Sequence, residues 1–214
     1  MEAKKIEVKI LLSSIIIIFL VETAVRAVIP AGLPFPVAVV GVVRLVEMTL
    51  ILLMIYHWSG GLSSIGLAKD QILPGLAKGL VWSAGFGLTA AICMAVIYAV
   101  GVNPLKLLQP PMPGKTGELI VYFIVGGAAA PVAEEIFFRG IVYGFLRRWG
   151  VLPALLISTL FFVAAHSKGT AVPLTQSAGG IVFALAYELE GRLMVPITIH
   201  ALGNMAIFSL TLLG

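Results

Sequence analysis

Charged residues and cysteine are both scarce in this sequence. Only 11% of the 214 residues are charged, whereas a soluble domain is about 25% charged. An ordinary water-soluble domain is therefore excluded, because 60% of the residues are hydrophobic and the mean hydropathy is +1.09. The single cysteine, Cys93, excludes an internal disulfide. The net charge of +4 does not indicate nucleic-acid binding, since the basic residues are scattered among apolar runs.

Long apolar runs predict an all-α fold, a polytopic transmembrane helical bundle, because one span needs roughly 20 mainly apolar residues. About seven spans are predicted, and eight remain compatible with the sequence. The whole chain, 1–214, is expected to form one integral membrane domain. The first run is too long for a signal-peptide core, so we expect it to be retained. The predicted spans are 6–29, 35–56, 74–100, 117–147, 152–167, 173–189 and 194–213.

Lysine and arginine predict which side of the membrane each connection faces. If the N-terminus is cytoplasmic, eight of them share its side and three lie opposite. The first set is Lys4, Lys5, Lys9, Lys69, Lys78, Arg147, Arg148 and Arg192, and the second is Lys106, Lys115 and Lys168. We therefore predict a cytoplasmic N-terminus for a protein of the cell membrane.

The third predicted span carries a ridge of small residues at every fourth position. Such a ridge lets another helix approach closely in lipid, so it predicts a packing seam. The ridge consists of Gly75, Gly79, Ser83, Gly87, Ala91, Ala95 and Ala99.

Ionisable residues within the first two spans are costly in lipid and call for partners. Glu22 and Arg26 are four residues apart, and Arg44 and Glu47 are three apart, so each pair can meet on one helix face. We interpret both as neutralised pairs.

The fourth predicted span contains two adjacent carboxylates, Glu134 and Glu135, in an apolar helix. Glu135 and Arg139 are four residues apart and can form an ion pair. Glu134 points about 100° away, so it lacks such a partner on its own helix and needs a polar cavity or another helix. Pro131, one turn earlier, removes a backbone hydrogen bond and favours a kink.

Two later spans offer partners for Glu134. Phe162 precedes His166 by one helical turn, and His200 precedes Asn204 by one turn, with Gly203 keeping that surface open. We predict that these residues meet in one site. The predicted catalytic residues are Glu134, His166, His200 and Asn204, supported by Glu135, Arg139 and Phe162.

The three stretches resemble the EExxxR, FxxxH and HxxxN motifs of the CPBP family, also called the Abi or CAAX-protease-like family. That family includes type II CAAX prenyl endopeptidases and prokaryotic membrane proteins linked to bacteriocin processing or immunity. The resemblance covers about residues 117–204, the expected catalytic half. It implies an internal polar cavity and an intramembrane endopeptidase that acts on a membrane-associated or lipidated peptide. Because the chain stops soon after the third motif, we expect no further C-terminal helix of the kind some relatives carry.

Peptide hydrolysis needs an activated water and a stabiliser for the oxyanion. We assign Glu134 as general base and His166 as its partner in holding the water. His200 and Asn204 are assigned as oxyanion donors. No metal is favoured, because Asn204 is a poor zinc ligand and the sequence has no HExxH. The alternative is a zinc site formed by Glu134, His166 and His200, in line with the family's usual label of metalloprotease.

The depths of these residues constrain the site. Glu134 and His166 each lie about 20 Å from the predicted membrane boundary, whereas His200 lies only about 10 Å from it. A shared site therefore requires the segment around Gly191–Pro196 to dip into the bundle.

Two other functions fit the same residues. One is a non-catalytic membrane scaffold or bacteriocin-immunity protein, and the other is a transporter or channel that uses Glu134 as a proton-linked site. The predicted partners are membrane lipid and a membrane-bound peptide or protein substrate, with no nucleic acid. The sequence leaves the oligomeric state open.

Overall fold

The computed structural model describes residues 6–29, 36–108, 110–167 and 173–213. Within those ranges the regular elements are helices and no strand forms, which confirms the predicted all-α class. The orientation prediction rests in part on Lys4, Lys5 and Lys168, which lie outside the described residues. The cytoplasmic N-terminus stays a prediction.

Seven helices follow one another along the described chain, in the order that the apolar runs predict. They are α1 (Val8–Val28), α2 (Val37–Trp58), α3 (Lys69–Ala99), α4 (Thr116–Trp149), α5 (Val151–His166), α6 (Leu174–Glu190) and α7 (Met194–Leu213). Short 3-10 turns, Leu62–Ile65 and Pro104–Leu107, lie in the connections on either side of α3.

Five of the described helices, α1, α2, α3, α4 and α7, are long and apolar enough to cross a bilayer. The other two are shorter, with 16 residues in α5 and 17 in α6. At 1.5 Å per residue they are about 24 and 26 Å long, less than the hydrocarbon core of about 30 Å. Both pack against α4, so neighbouring helices, rather than lipid alone, surround them.

The start of α3 differs from the predicted span. The polar stretch 57–73 placed that span at 74–100, but the helix begins earlier, at Lys69. The side chain of Gln71 accepts a hydrogen bond from the backbone N–H of Ala68 at 3.2 Å, which caps the first turn. Pro74 therefore lies inside the helix, near its start.

The central helix of the bundle is α4, which packs against α1, α2, α5, α6 and α7. Its residues Ile136, Ile141 and Tyr143 are buried in a core shared with side chains of α1, α2 and α6. Glu135 and Arg139 are buried on the same helix. The helix that carries the two glutamates is thus held on several sides by other helices.

The first part of the small-residue ridge of α3 forms the predicted packing seam, and its partner is α7. A Cβ added at Gly75 would lie 2.7 Å from Cβ of Met194, and one added at Gly79 would lie 2.5 Å from Cβ of Thr198. Gly79 and Thr198 each lie one turn after Gly75 and Met194 on their own helices. The two helices, α3 and α7, therefore run in the same direction. They separate further along, because a Cβ added at Gly87 would meet no atom within 4 Å in the described part of the chain.

We predict that Gly79→Ala destabilises the protein whereas Gly87→Ala does not. The added methyl group at position 79 would collide with Thr198 and force the two helices apart, at a cost of about 1–3 kcal/mol. The same change at position 87 enters open space. Thermal unfolding of both variants in detergent measures the difference, and equal midpoints would contradict a tight seam between α3 and α7.

Candidate active site

The helix α4 departs from regular α-helical geometry on both sides of the two glutamates. The segment Ala130–Glu135 is α-helical, but Val125–Ala129 before it and Ile136–Tyr143 after it are π-helical. Pro131 lacks the N–H that would bond to a carbonyl one turn back, which favours a widened turn there. Such π-helical turns occur often at functional sites.

Glu135 and Arg139 form the predicted ion pair, and it is fully buried. Arg139 Nη1 donates to Glu135 Oε1 at 3.1 Å, and both side chains have 0% exposure. Arg139 Nη2 also donates to the backbone carbonyl of Gly180 on α6 at 3.1 Å. The guanidinium lies over two rings, with its Cζ 4.4 Å from the ring centre of Phe162 and 5.3 Å from that of Phe183. Arg139 therefore links α4 to α5 and α6.

His200 extends this buried pair to α7. Its Nδ1 lies 2.8 Å from Glu135 Oε1. Because that carboxylate is paired with Arg139 and can only accept, the hydrogen is assigned to Nδ1 of His200. The imidazole stacks on Phe183 with ring centres 4.7 Å apart, and its Nε2 lies 3.8 Å from Glu134 Oε2.

His166 approaches Glu134 from α5. Its Nδ1 lies 2.8 Å from the backbone carbonyl of Phe162, and a carbonyl can only accept, so the hydrogen is again on Nδ1. Its Nε2 lies 3.4 Å from Glu134 Oε2. The side chain of His166 is 26% exposed, against 7% for His200, so the site is more open at the end of α5.

Three acceptor atoms thus converge at the centre of the site. They are Oε2 of Glu134 and the Nε2 atoms of His166 and His200, whose other ring nitrogens already donate elsewhere. Glu134 Oε2 is shielded from solvent and has no hydrogen-bond partner among the described residues. Acceptors that face one another need a shared proton or a water molecule between them. The arrangement can hold and polarise a water.

Asn204, the fourth predicted catalytic residue, lies one turn beyond His200 on α7. Its Nδ2 donates to the backbone carbonyl of Gly126 at 2.8 Å. Gly126 belongs to the π-helical turn that precedes the glutamates. One amide hydrogen of Asn204 is therefore bound to α4, and the second can serve another acceptor.

The turn between α6 and α7 packs against the connection between α2 and α3, whereas its predicted dip toward the membrane centre stays a prediction. Leu193 in this turn has 0% exposure, and its backbone N–H donates to the carbonyl of Gly66 at 3.1 Å. Gly66 has a positive φ of 74°, and a Cβ there would lie 2.6 Å from the carbonyl oxygen of Gly191. Glycine at this position lets the connection between α2 and α3 cover the turn.

Sequence reasoning missed Phe183 and the carbonyl of Gly180, both on α6. The adjacent glycines Gly179 and Gly180 were the available signal, since small residues allow a close helix approach. A Cβ at Gly180 would lie 2.9 Å from Cγ2 of Thr159 on α5. The α6 backbone thus comes close enough to accept a hydrogen bond from Arg139.

The charged residues of α1 and α2 also lie near the site. Arg44 pairs with Glu47, as predicted, and with Glu22 of α1 at 3.0 Å. Arg44 also interacts electrostatically with Glu134. The link to Glu22 and the effect on Glu134 depend on how the helices pack, so residue spacing alone did not predict them.

The three zinc ligands of the alternative prediction, Glu134, His166 and His200, lie next to one another in the structure. Among the residues that the structure describes, no group of three or more His, Cys, Asp or Glu side chains is arranged to hold a metal ion. Glu134 Oε2 lies 3.4 and 3.8 Å from the Nε2 atoms of His166 and His200. Metal dependence of the site stays a prediction.

The comparisons with known proteins concern the same part of the chain. Residues 116–206 match the family described as type II CAAX prenyl endopeptidase Rce1-like. The chain is also 29% identical over 146 residues to the membrane-embedded CAAX protease MroQ of Staphylococcus aureus (strain USA300). That match covers 64% of this chain but only 57% of the relative, so the chain spans little more than half of that protein. No solved structure matches the chain.

We predict that Arg139→Met destabilises the protein by about 3–5 kcal/mol, because Glu135 is left as a buried charge without its main partner. Adding Glu135→Gln should cost less than the sum of the two single changes, since the pair is lost together. Thermal unfolding in detergent measures all three variants, with Lys115→Met, an exposed cation just before α4, as the control. Additive losses would show that the two residues are not coupled.

Proposed function

We propose that this chain, whose residues 116–206 belong to the CAAX-protease-like family, is an intramembrane endopeptidase. The observation that carries the proposal is the convergence of Glu134 with His166 and His200, each from a different helix. The similar protein of Staphylococcus aureus is a membrane-embedded CAAX protease, which supports the same class of reaction. We infer that the substrate is a membrane-associated or lipidated peptide, because the site lies within a bundle of apolar helices.

A water molecule bound among the three acceptors is the proposed nucleophile. It would donate one hydrogen to Glu134 and the other to Nε2 of His166, which satisfies both acceptors. Glu134 is the proposed general base, because a carboxylate within hydrogen-bond reach of the water can take its proton. His166 would hold the water in place through its fixed Nδ1 contact with Phe162.

The reaction follows from this arrangement. As the water oxygen attacks the peptide carbonyl carbon, its proton passes to Glu134 and the carbonyl oxygen becomes an oxyanion. Glu134 then returns the proton to the leaving amide nitrogen, and the carbon–nitrogen bond breaks. One water is consumed, and the products are a carboxylic acid and an amine.

We propose that His200 and Asn204 donate hydrogen bonds to the oxyanion. For His200 this step requires a hydrogen on Nε2 in addition to the one directed at Glu135. For Asn204 it uses the amide hydrogen that is not bound to Gly126. Both donors lie one turn apart on α7, so a single rigid helix would carry them.

The proposed supporting residues act by positioning the others. Glu135 and Arg139 hold His200 through a buried network. Phe162 supplies the carbonyl that orients His166, and its ring covers Arg139. A change in any of them should alter the site geometry without removing the base.

We predict that Glu134→Gln lowers peptide cleavage by about 10²–10⁴-fold, because the amide cannot accept the proton of the water. Membrane peptides of cells that carry the intact protein are compared by proteomics with those of cells that carry the variant. Peptides that change are then tested as substrates of the purified protein. Glu118→Gln, a similar change at an exposed position of α4, is the matched control and should retain activity.

The Glu134→Gln variant and a liposome assay distinguish the endopeptidase from the two other predicted functions. An unchanged peptide profile and intact biological activity in Glu134→Gln, with normal thermal stability, would support a non-catalytic scaffold or immunity protein. Substrate-dependent proton flux in liposomes without peptide cleavage would support a transporter. Either result overturns the proposed endopeptidase.

We predict that a chelator changes the cleavage rate of the purified protein by less than about twofold, because Glu134 acts as the base without a metal. The purified protein is dialysed against a strong zinc chelator before the cleavage assay. Loss of activity that returns when zinc is added would instead establish Glu134, His166 and His200 as the zinc ligands and the protein as a metalloprotease.

A further inference from the structure

A shallow pocket lies away from the candidate active site, between α3 and the turn that joins α6 to α7. Its volume is about 440 Å³, and it is lined by Pro74, Ala77, Lys78, Val81 and Arg192. Three of these residues are apolar or small and two are cationic. The pocket thus offers positive charge beside an apolar wall.

The two cations share one carboxylate. Lys78 Nζ lies 3.8 Å from Glu190 Oε1, and Arg192 Nη1 lies 3.9 Å from Glu190 Oε2. Both distances are at the long end for an ion pair. The carboxylate also accepts a shorter hydrogen bond, 3.1 Å, from Trp82 Nε1 to Glu190 Oε1. Two cations that share one carboxylate leave one positive charge for a ligand.

The position of Lys78 along α3 places the pocket at the edge of the hydrocarbon core. Residues 79–99 contain no charged side chain, and at 1.5 Å per residue they cover about 32 Å, close to the thickness of the core. Trp82, one turn further, is a residue type enriched at the membrane interface. Lys78 therefore lies at the level of lipid headgroups.

We infer that this pocket binds the headgroup phosphate of an anionic phospholipid. The phosphate would accept hydrogen bonds from the ammonium of Lys78 and from the guanidinium of Arg192. The acyl chains would lie along the exposed apolar surface of α3, which includes Val81, a residue that is 70% exposed. Basic pockets between transmembrane helices bind anionic headgroups in this way.

Lipid in this pocket would connect α3 with the start of α7, the helix that carries His200 and Asn204. The Arg192 side chain packs on α3, since a Cβ at Gly75 would lie 3.4 Å from Arg192 Cβ. Arg192 also precedes α7, which begins at Met194 and carries His200. A phosphate held by both cations would fix the start of α7 against α3.

The test uses the full-length protein purified in detergent. Binding of phosphatidylglycerol and of phosphatidylcholine is measured by native mass spectrometry. The intact protein should bind phosphatidylglycerol more tightly, and Lys78→Gln with Arg192→Gln should weaken that binding about 30-fold, near fivefold for each cation. The charge-conserving pair Lys78→Arg with Arg192→Lys should retain it.

The matched control removes two other cations, by Lys106→Gln with Lys115→Gln, beyond the opposite end of α3. This control should bind phosphatidylglycerol as the intact protein does. Three results would overturn the inference: equal binding of the two lipids, unchanged binding in the Lys78 and Arg192 glutamine variant, or an equal loss in the control. Displacement of the lipid by the same concentration of inorganic phosphate would assign the pocket to free anions instead.

Discussion

Oε1 of Glu135 accepts hydrogen bonds from Arg139 on its own helix and from His200 on α7. Arg139 in turn donates to the carbonyl of Gly180, so the network also includes α6. A buried charge without partners costs several kcal/mol, roughly 3–5 when a buried pair is broken. The helices α4, α6 and α7 must therefore pack so that all these partners meet. The other distances in the candidate site depend on that packing.

The two consecutive glutamates have different surroundings because of this network. Glu135 takes the guanidinium of Arg139 and the Nδ1 hydrogen of His200, so its charge is compensated within the bundle. Glu134 points to another side of α4, where it meets only the Nε2 atoms of two imidazoles. Each carboxylate has one oxygen without a hydrogen-bond partner among the described residues, but only that of Glu134 faces the Nε2 atoms of the two imidazoles. That asymmetry is what suits Glu134 to bind water.

The lengths of the apolar runs were enough to predict the all-α class and the order of the helices, because a chain in lipid must satisfy its backbone hydrogen bonds internally. The helical period was enough to pair Glu135 with Arg139. Neither rule could find Phe183, which stacks on His200 only because α6 packs on α7. Nor could they place the start of α3, since Gln71 caps a turn within a polar stretch. The position of Phe183 depends on a contact between helices and the start of α3 depends on local capping, so neither follows from the apolar runs or the helical period.

The short length of α5 bears on how water reaches Glu134. This helix ends at His166 after 16 residues, about 24 Å, so it does not cover the full thickness of the hydrocarbon core. His166 at its end is 26% exposed and faces Glu134, whereas His200, in the middle of the bundle, is 7% exposed. In the proposed mechanism, the helix thus ends beside the residue that would hold the water, on the more exposed side of the site.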